Sequence, residues 1–232
     1  MKVDFTLVLV RHGHSEWNLH DRFTGWTDIS LTEVGLREAQ NCGRLLAEHG
    51  FQFDEIHQSV LKRTHQTAEQ ILLGARHADI PSFRDWRLNE RHYGCLQGMS
   101  KIEIIEKWGE QDSFAWWRGY ATPPPPLDHN DPRNPRLDPL YGNVEPALLP
   151  RSESLEQCQQ RVLHYWDQGL VPRINSGKRL LVVSHGNTMR ALCMNIENIS
   201  EKDIERLEIP AAEPLVYHFN QGMELLDFEW LR

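Results

Sequence analysis

Thr6 to Val10 form a short apolar, β-branched run, the pattern of a parallel strand covered on both faces. A similar run, RLLVVSHGN, lies near residue 180, and each of the two is tipped by a histidine followed by a glycine. Between them polar and apolar positions change period. Ser30 with Glu33 offers a capping box, and Leu36, Ala39, Gly43, Leu46 and Ala47 recur at helical spacing until Gly50 stops the run. FDEIHQS then reads as a strand. SVLKRTHQTAEQILL reads as a helix with Val60, Leu61, Ala68 and Leu72 near one face, and Ser82 to Leu88 as a further short strand. Ser100 with Glu103 caps SKIEIIEKWG, and Ser154 with Gln157 opens a longer helix through Leu155, Cys158, Val162 and Trp166. Ser200 caps DIERLEI, and PLVYHFN with MELLDFEWL predicts a terminal hairpin. Strands alternating with helices predict an α/β fold, a three-layer α/β/α sandwich around a mostly parallel sheet.

Residues 119–150 break this alternation. They carry most of the 13 prolines, and proline removes backbone donors and fixes φ, so the stretch predicts an extended loop. Its length suits a lid over a site or a disordered spacer. With 232 residues the chain is long enough for one substantial core, and residues 1–232 are expected to form a single catalytic domain.

Composition narrows the classes. Hydrophobic residues make up 40% and charged residues 25%, values ordinary for a water-facing globular protein, and no apolar run approaches the roughly 20 residues of a membrane span. MKVDFTLVLV leads into RHG without a small-residue cleavage site, so no signal peptide is expected and the location is expected to be cytoplasmic. Cys42, Cys95, Cys158 and Cys193 show no paired spacing, which suits reduced core thiols. The net charge of −8 repels nucleic acid and anionic membranes as a whole-body effect. An anionic ligand therefore needs a local cationic pocket.

The two histidine-tipped strands supply the candidate. In open α/β sheets ligands bind beyond the carboxyl ends of the strands, where His12 and His185 both sit, each beside a glycine (Gly186 follows His185) that lets backbone approach a ligand. Arg11 adjoins His12, Arg63 stands in the first turns of a helix that begins at a strand end, and RLNERHYG sets Arg91 and His92 beside Glu90. Guanidinium groups bind phosphate bidentately, and their charge keeps a neighbouring imidazole neutral. A neutral imidazole can attack phosphorus. Phosphoryl transfer needs an in-line nucleophile, cations around the equatorial oxygens and an acid for the leaving oxygen. His12 fits the first role, Arg11, Arg63 and His185 the second, and Glu90 the third, since phosphate charge nearby favours a protonated carboxyl. Glu90 also admits a plain ion pair with Arg87 or Arg91. No HExxH or comparable spacing supports a metal site, and an arginine beside the key histidine repels a cation.

RHGHSEWN, FTGWTDISLTEVG, SVLKRTHQT, WRLNERHYGCLQG, PPPPLD, LPRSESL and SHGNTMRAL together resemble the cofactor-dependent phosphoglycerate mutases of the histidine phosphatase superfamily, from about residue 5 to 218. RHG alone indicates only the superfamily; FTGW, LNERHYG and the proline run are more specific to the mutase branch. The resemblance implies a metal-free isomerase of glycolysis and gluconeogenesis that interconverts 2- and 3-phosphoglycerate through a phosphohistidine primed by 2,3-bisphosphoglycerate, in a homodimer or tetramer. It implies that His12 holds the phosphoryl group, Glu90 donates the proton, and His185, Arg11 and Arg63 bind the transferring phosphate. Asn18, Thr24, Gly25 and Asn187 would contact phosphate or substrate oxygens, with Gly186 and His92 beside them. Arg91, Tyr93, Lys101 and Arg118 would bind the carboxylate and second phosphate.

Three positions depart from the family pattern. His14 stands where glutamate or glutamine is usual, and either tightens phosphate binding at low pH or faces solvent. Trp117 stands where a second arginine usually precedes Arg118, so one phosphate contact is missing or Trp117 simply packs. The sequence stops at Arg232 where many members carry a basic tail, and a less enclosed site favours hydrolysis of the phosphoenzyme. A phosphatase of the same superfamily is thus the alternative, and a catalytically silent phosphometabolite-binding protein is the third reading.

Overall fold

Alternate residues of the first strand part to opposite sides of the sheet, and this sorting builds the molecule. The computed structural model describes residues 3–232; Met1 and Lys2, which open the stretch considered for a signal peptide, lie outside the described residues. In β1 (Phe5–Arg11), Leu7 and Leu9 enter one core while Val8 and Val10 enter the other. The chain then forms α1 (Glu33–Glu48), β2 (Glu55–Gln58), α2 (Lys62–Ala75), the short β3 (Ser82–Arg84), and the paired α3 (Lys101–Trp108) and α4 (Glu110–Trp117). After the proline-rich segment come α5 (Leu155–Tyr165), α6 (Val171–Asn175), β4 (Leu180–Ser184), α7 (Gly186–Glu197), α8 (Glu201–Ile204), β5 (Pro214–Phe219) and β6 (Leu225–Trp230).

The six strands run in the order β3-β2-β4-β1-β5-β6, parallel from β3 to β1 and antiparallel at the two final pairings. The terminal hairpin expected from the sequence thus closes one edge. On one face α1 and α2 bury Cys42, Leu46, Ala68 and Ile71 against Val8, Val10, Ile56, Leu181 and Val183. On the other, Cys158, Val162, Ile174, Met189 and Leu192 pack on Leu7, Leu9, Leu180 and Val182. Each Val, Leu, Ile or Met side chain so removed from water contributes roughly 1.5–3 kcal/mol. This burial gives the three-layer sandwich its register.

Local signals set most element ends. Ser100 and Ser154 form complete capping boxes with Glu103 and Gln157, and Ser200 caps α8 through the Asp203 N–H. At α1 the sequence reading needs correction: the cap is Thr32, whose hydroxyl accepts from the Gly35 N–H, and Ser30 is instead engaged through its carbonyl by the Glu16 N–H. Residues 119–150 contain three one-turn 3-10 segments and no strand. Their buried Leu127, Tyr141 and Leu149 explain their order: Tyr141 packs on Trp26 with ring centroids 5.0 Å apart and accepts from the Asn89 amide at 3.0 Å. None of these residues lines the cleft described next, so the segment buttresses it from behind.

Candidate active site

Parallel pairing of β1 with β4 places Arg11 opposite Ser184, and the next residue of each strand is a histidine. The His12 and His185 ring centroids are 5.1 Å apart. Both rings are buried. The loop behind His12 is fixed by a close approach: a β-carbon on Gly13 would sit 2.3 Å from the Gly35 carbonyl, and one on Gly35 would sit 2.2 Å from that of His14. Gly13 therefore serves packing against α1, whereas the equivalent point on Gly186 faces the cleft, 3.7 Å from both the Arg11 Nε and a Glu90 carboxylate oxygen.

Hydrogen bonds fix the proton on each ring. A carbonyl only accepts, so the 2.7 Å contact between His12 Nδ1 and the Gly13 carbonyl puts the proton on Nδ1 and leaves the Nε2 lone pair outward. The Arg63 Nε–H lies between the two imidazoles, 3.3 Å from His12 Nε2 and 3.2 Å from His185 Nδ1. His185 then donates from Nε2 to the Ser59 hydroxyl at 2.8 Å. Burial first, then the Arg63 and Arg11 charges, holds His12 well below the ordinary histidine value, and burial with Arg63 does the same for His185. Both rings are neutral across the physiological range. Arg63 is itself fully buried; it donates to the Thr27 carbonyl at 3.0 Å and the Gly25 carbonyl at 2.8 Å, and burial lowers it to about 10. Gly25 holds φ +54°, a left-handed turn that glycine adopts freely, with a β-carbon excluded by Gln97 at 2.0 Å.

The cleft beyond His12 holds about 310 Å³ and is walled mainly by polar groups. Glu90 enters it from the loop after the 3-10 turn at Trp86–Leu88, with one carboxylate oxygen accepting from the Arg91 N–H at 2.8 Å and the Asn187 N–H at 3.0 Å. Asn187 lies in the first turn of α7, whose N-terminal N–H groups favour anions. Arg11, Asn18, Thr24, Gly25, Arg63, Tyr93, Lys101, Arg118 and Gly186 all line the same cleft, as the sequence suggested. The Asn18 carbonyl is taken by the Ser15 N–H and hydroxyl, leaving its amide NH2 for a ligand. Arg118 donates to the Glu205 and Leu207 carbonyls and pairs with Glu208 at 3.1 Å. Lys101 stands 3.8 Å over the Trp117 ring, which makes Trp117 a wall of the cleft.

His92 corrects the sequence reading. Its Nδ1 accepts from the Gly94 N–H at 3.1 Å, its ring packs against Trp26, and it takes no part in the cleft wall. Burial, followed by the Arg161 and Arg133 charges, lowers it to about 3. His185 and Arg91 also stand one layer behind the surface, His185 acting on His12 through Arg63, and Arg91 donating to the Tyr93 hydroxyl and the Trp117 carbonyl. Three residues were missed. Arg22 and Asp21 follow the RHGHSEWN motif on the cleft rim, and Arg190 lies three residues beyond Asn187 on α7, donating to its amide oxygen at 2.9 Å. Helical spacing from the SHGN motif would have found Arg190. Burial, then the Arg91 and Arg118 charges, lowers Arg190 to about 10.

Several of these guanidinium groups have buried N–H donors without a protein partner: the Nε of Arg11, of Arg91 and of Arg190, and the NH1 of Arg91. An unmet buried donor is costly, and those of Arg11 and Arg190, which line the cleft, suit phosphate or carboxylate oxygens. Among the described residues, no three His, Cys, Asp or Glu side chains gather where they could share a metal ion, and no helix is long and apolar enough to cross a membrane.

The sequence profile of the histidine phosphatase superfamily (branch 1) matches residues 7–228. The chain belongs to that superfamily. Within it, the chain is 46% identical over 225 residues, 97% of its own length and 90% of the relative's, to the 2,3-bisphosphoglycerate-dependent phosphoglycerate mutase of Hamiltonella defensa subsp. Acyrthosiphon pisum (strain 5AT). Its fold is similar to that of Bacillus stearothermophilus YhfR, with TM-score 0.72 and 25% identity over 95% of this chain and 94% of that one. It is also similar to the alpha-ribazole phosphatase from Shigella flexneri, with TM-score 0.70 and 20% identity over 96% and 94% of the two chains.

Proposed function

We propose that this protein is a phosphoglycerate mutase, interconverting 2- and 3-phosphoglycerate through a phosphoryl group held on His12. The observation that carries the reading is the His12 ring itself: a neutral imidazole with its proton committed to the Gly13 carbonyl and its other nitrogen presented, among arginines, to a cleft that contains Glu90. The relationship to the Hamiltonella mutase supports it.

In the proposed cycle the His12 Nε2 lone pair forms the bond to phosphorus, and the electron pair of the broken P–O bond goes to the leaving hydroxyl, which takes its proton from Glu90. In the return step Glu90 accepts the proton of the attacking hydroxyl. Arg11, Arg63 and Asn18 face the oxygens of the moving group, while Arg91, Arg118, Arg190 and Lys101 supply charge for a carboxylate and a second phosphate. The unmet donors of Arg11 and Arg190, both in the cleft wall, suit a multiply anionic substrate. When bound, 2,3-bisphosphoglycerate supplies the phosphoryl group that loads His12. The reaction is that of glycolysis and gluconeogenesis, which supports a cytoplasmic location, and the family resemblance supports a homodimer or tetramer.

Conversion of 3-phosphoglycerate is to be followed with and without 2,3-bisphosphoglycerate, in a chelator, while free phosphate is monitored. Dependence on the bisphosphate with little phosphate release is the expected result. Release of phosphate in step with substrate loss makes the protein a phosphatase instead.

A further inference from the structure

The LPRSESL motif contributes nothing to the cleft wall, yet its Glu153 forms a buried pair with Arg161 of α5 that reaches the active site from behind. The Arg161 Nε and NH2 donate to the two Glu153 carboxylate oxygens at 2.6 and 2.7 Å. NH1 donates to the carbonyls of Arg87 at 2.8 Å and Asn89 at 3.1 Å, and NH2 also to that of Glu90 at 3.1 Å. Glu153 grips the other end of the same stretch: its carboxylate accepts from the His92 N–H at 2.8 Å, and its own N–H donates to the His92 carbonyl at 2.8 Å. Trp26, whose ring lies under Arg161, adds its indole N–H to the Glu90 carbonyl. Four backbone positions between residues 87 and 92, three of them outside any strand or helix, are thus anchored by one ion pair.

We infer that Arg161, clamped by Glu153, is a positioning residue that sets the depth at which the Glu90 carboxyl meets the leaving oxygen. This rests on the reading of Glu90 as the proton donor. Only a guanidinium has five donors in a planar fork, enough to satisfy a bidentate carboxylate and three carbonyls together. A lysine keeps the buried charge beside Glu153 but not the fork.

The test uses Arg161→Lys, because a neutral replacement leaves Glu153 buried and unpaired and risks unfolding. With 3-phosphoglycerate, kcat is expected to fall by about 10- to 100-fold, the cost of a displacement near 1 Å at a catalytic group, with KM within about threefold. With 2,4-dinitrophenyl phosphate, whose phenolate leaves without a proton, the burst of His12 phosphorylation is expected to stay within about threefold of the unmodified protein. Equal loss on both substrates, or no loss on either, overturns the proposal. Glu90→Gln is measured alongside: if it slows both substrates equally, the proton-donor reading of Glu90 fails, independently of Arg161. If Arg161→Lys does not fold, as judged by its melting curve, Trp26→Phe takes its place. It deletes one donor to the Glu90 carbonyl and is expected to show the same selective loss at about three- to tenfold; an unselective loss there overturns the proposal.

Discussion

The two ends of the cleft are built on opposite terms. At the histidine end the two imidazoles and Arg63 are answered from within the protein: Gly13, Arg63 and Ser59 close the ring hydrogen bonds, and Thr27 and Gly25 carbonyls take Arg63. At the arginine end, Arg91 and Arg190 keep buried donors that nothing in the protein meets, as does Arg11 beside His12. The difference separates reactivity from recognition. The imidazole proposed as nucleophile is held in place by the protein alone, whereas the arginines proposed to bind the anion keep donors for a ligand.

Removing the proposed nucleophile should break the first half of that contrast outright. His12→Ala is expected to lower turnover by at least about 10⁴-fold and abolish acid-labile labelling from 2,3-bisphosphoglycerate; retention of the label in that variant refutes the role of His12. Next in size is Arg190→Gln. Loss of a charge-assisted donor is worth about 1.5–3 kcal/mol, so KM for 3-phosphoglycerate should rise by roughly 10- to 100-fold while saturated phosphorylation of His12 by 2,4-dinitrophenyl phosphate is retained. If both fall together, Arg190 belongs to the histidine end instead.

Acid offers a third probe, with a definite sign. An unfolded histidine takes up a proton near 6.5, whereas buried His12 and His185 are held well below that, His57 at about 4 and His92 at about 3. The unfolded state then binds more protons, so stability is full above pH 6.5 and declines as pH falls toward those lower values. The urea midpoint should accordingly drop between pH 7 and pH 5, and an unchanged midpoint contradicts burial of neutral rings. The smallest effect is expected at the rim. His14 lines the cleft but pairs with Glu38 at 2.8 Å in a largely exposed setting, where such pairs contribute about 0–1 kcal/mol. His14→Gln should change KM by less than about threefold, and a larger change measured in steady-state assays would bring His14 into the recognition end.

The same division governs how much of the molecule is legible in its sequence. The central strands are plain because apolar runs covered on both faces have no polar interruption, and the histidines that cap them follow at once. Caps read well where serine precedes glutamate or glutamine by three, at Ser100 and Ser154, and misled at Ser30, where tertiary pairing to residue 16 left Thr32 to start the helix. The continuation of α5 through Trp166–Leu170 and α6 to Asn175 was not foreseen, because Gly169 and Pro172 signal a stop. There the chain widens into a π-turn with Gly169 against the Tyr165 ring, which no side chain would permit. The rest of the cleft wall is harder to read than the histidine-tipped strands: Arg190 depends on α7, and the exclusion of His92 on which way a non-repetitive stretch turns.

The meeting of Gly13 with Gly35 ties the loop after His12 to a helix none of whose residues lines the cleft. Neither position can acquire a methyl group unless the opposing backbone retreats by about 1 Å. Under selection for activity, position 35 should therefore prove as intolerant of replacement as position 13, and the functional footprint of this enzyme extends beyond its chemistry into the seam that keeps the loop seated.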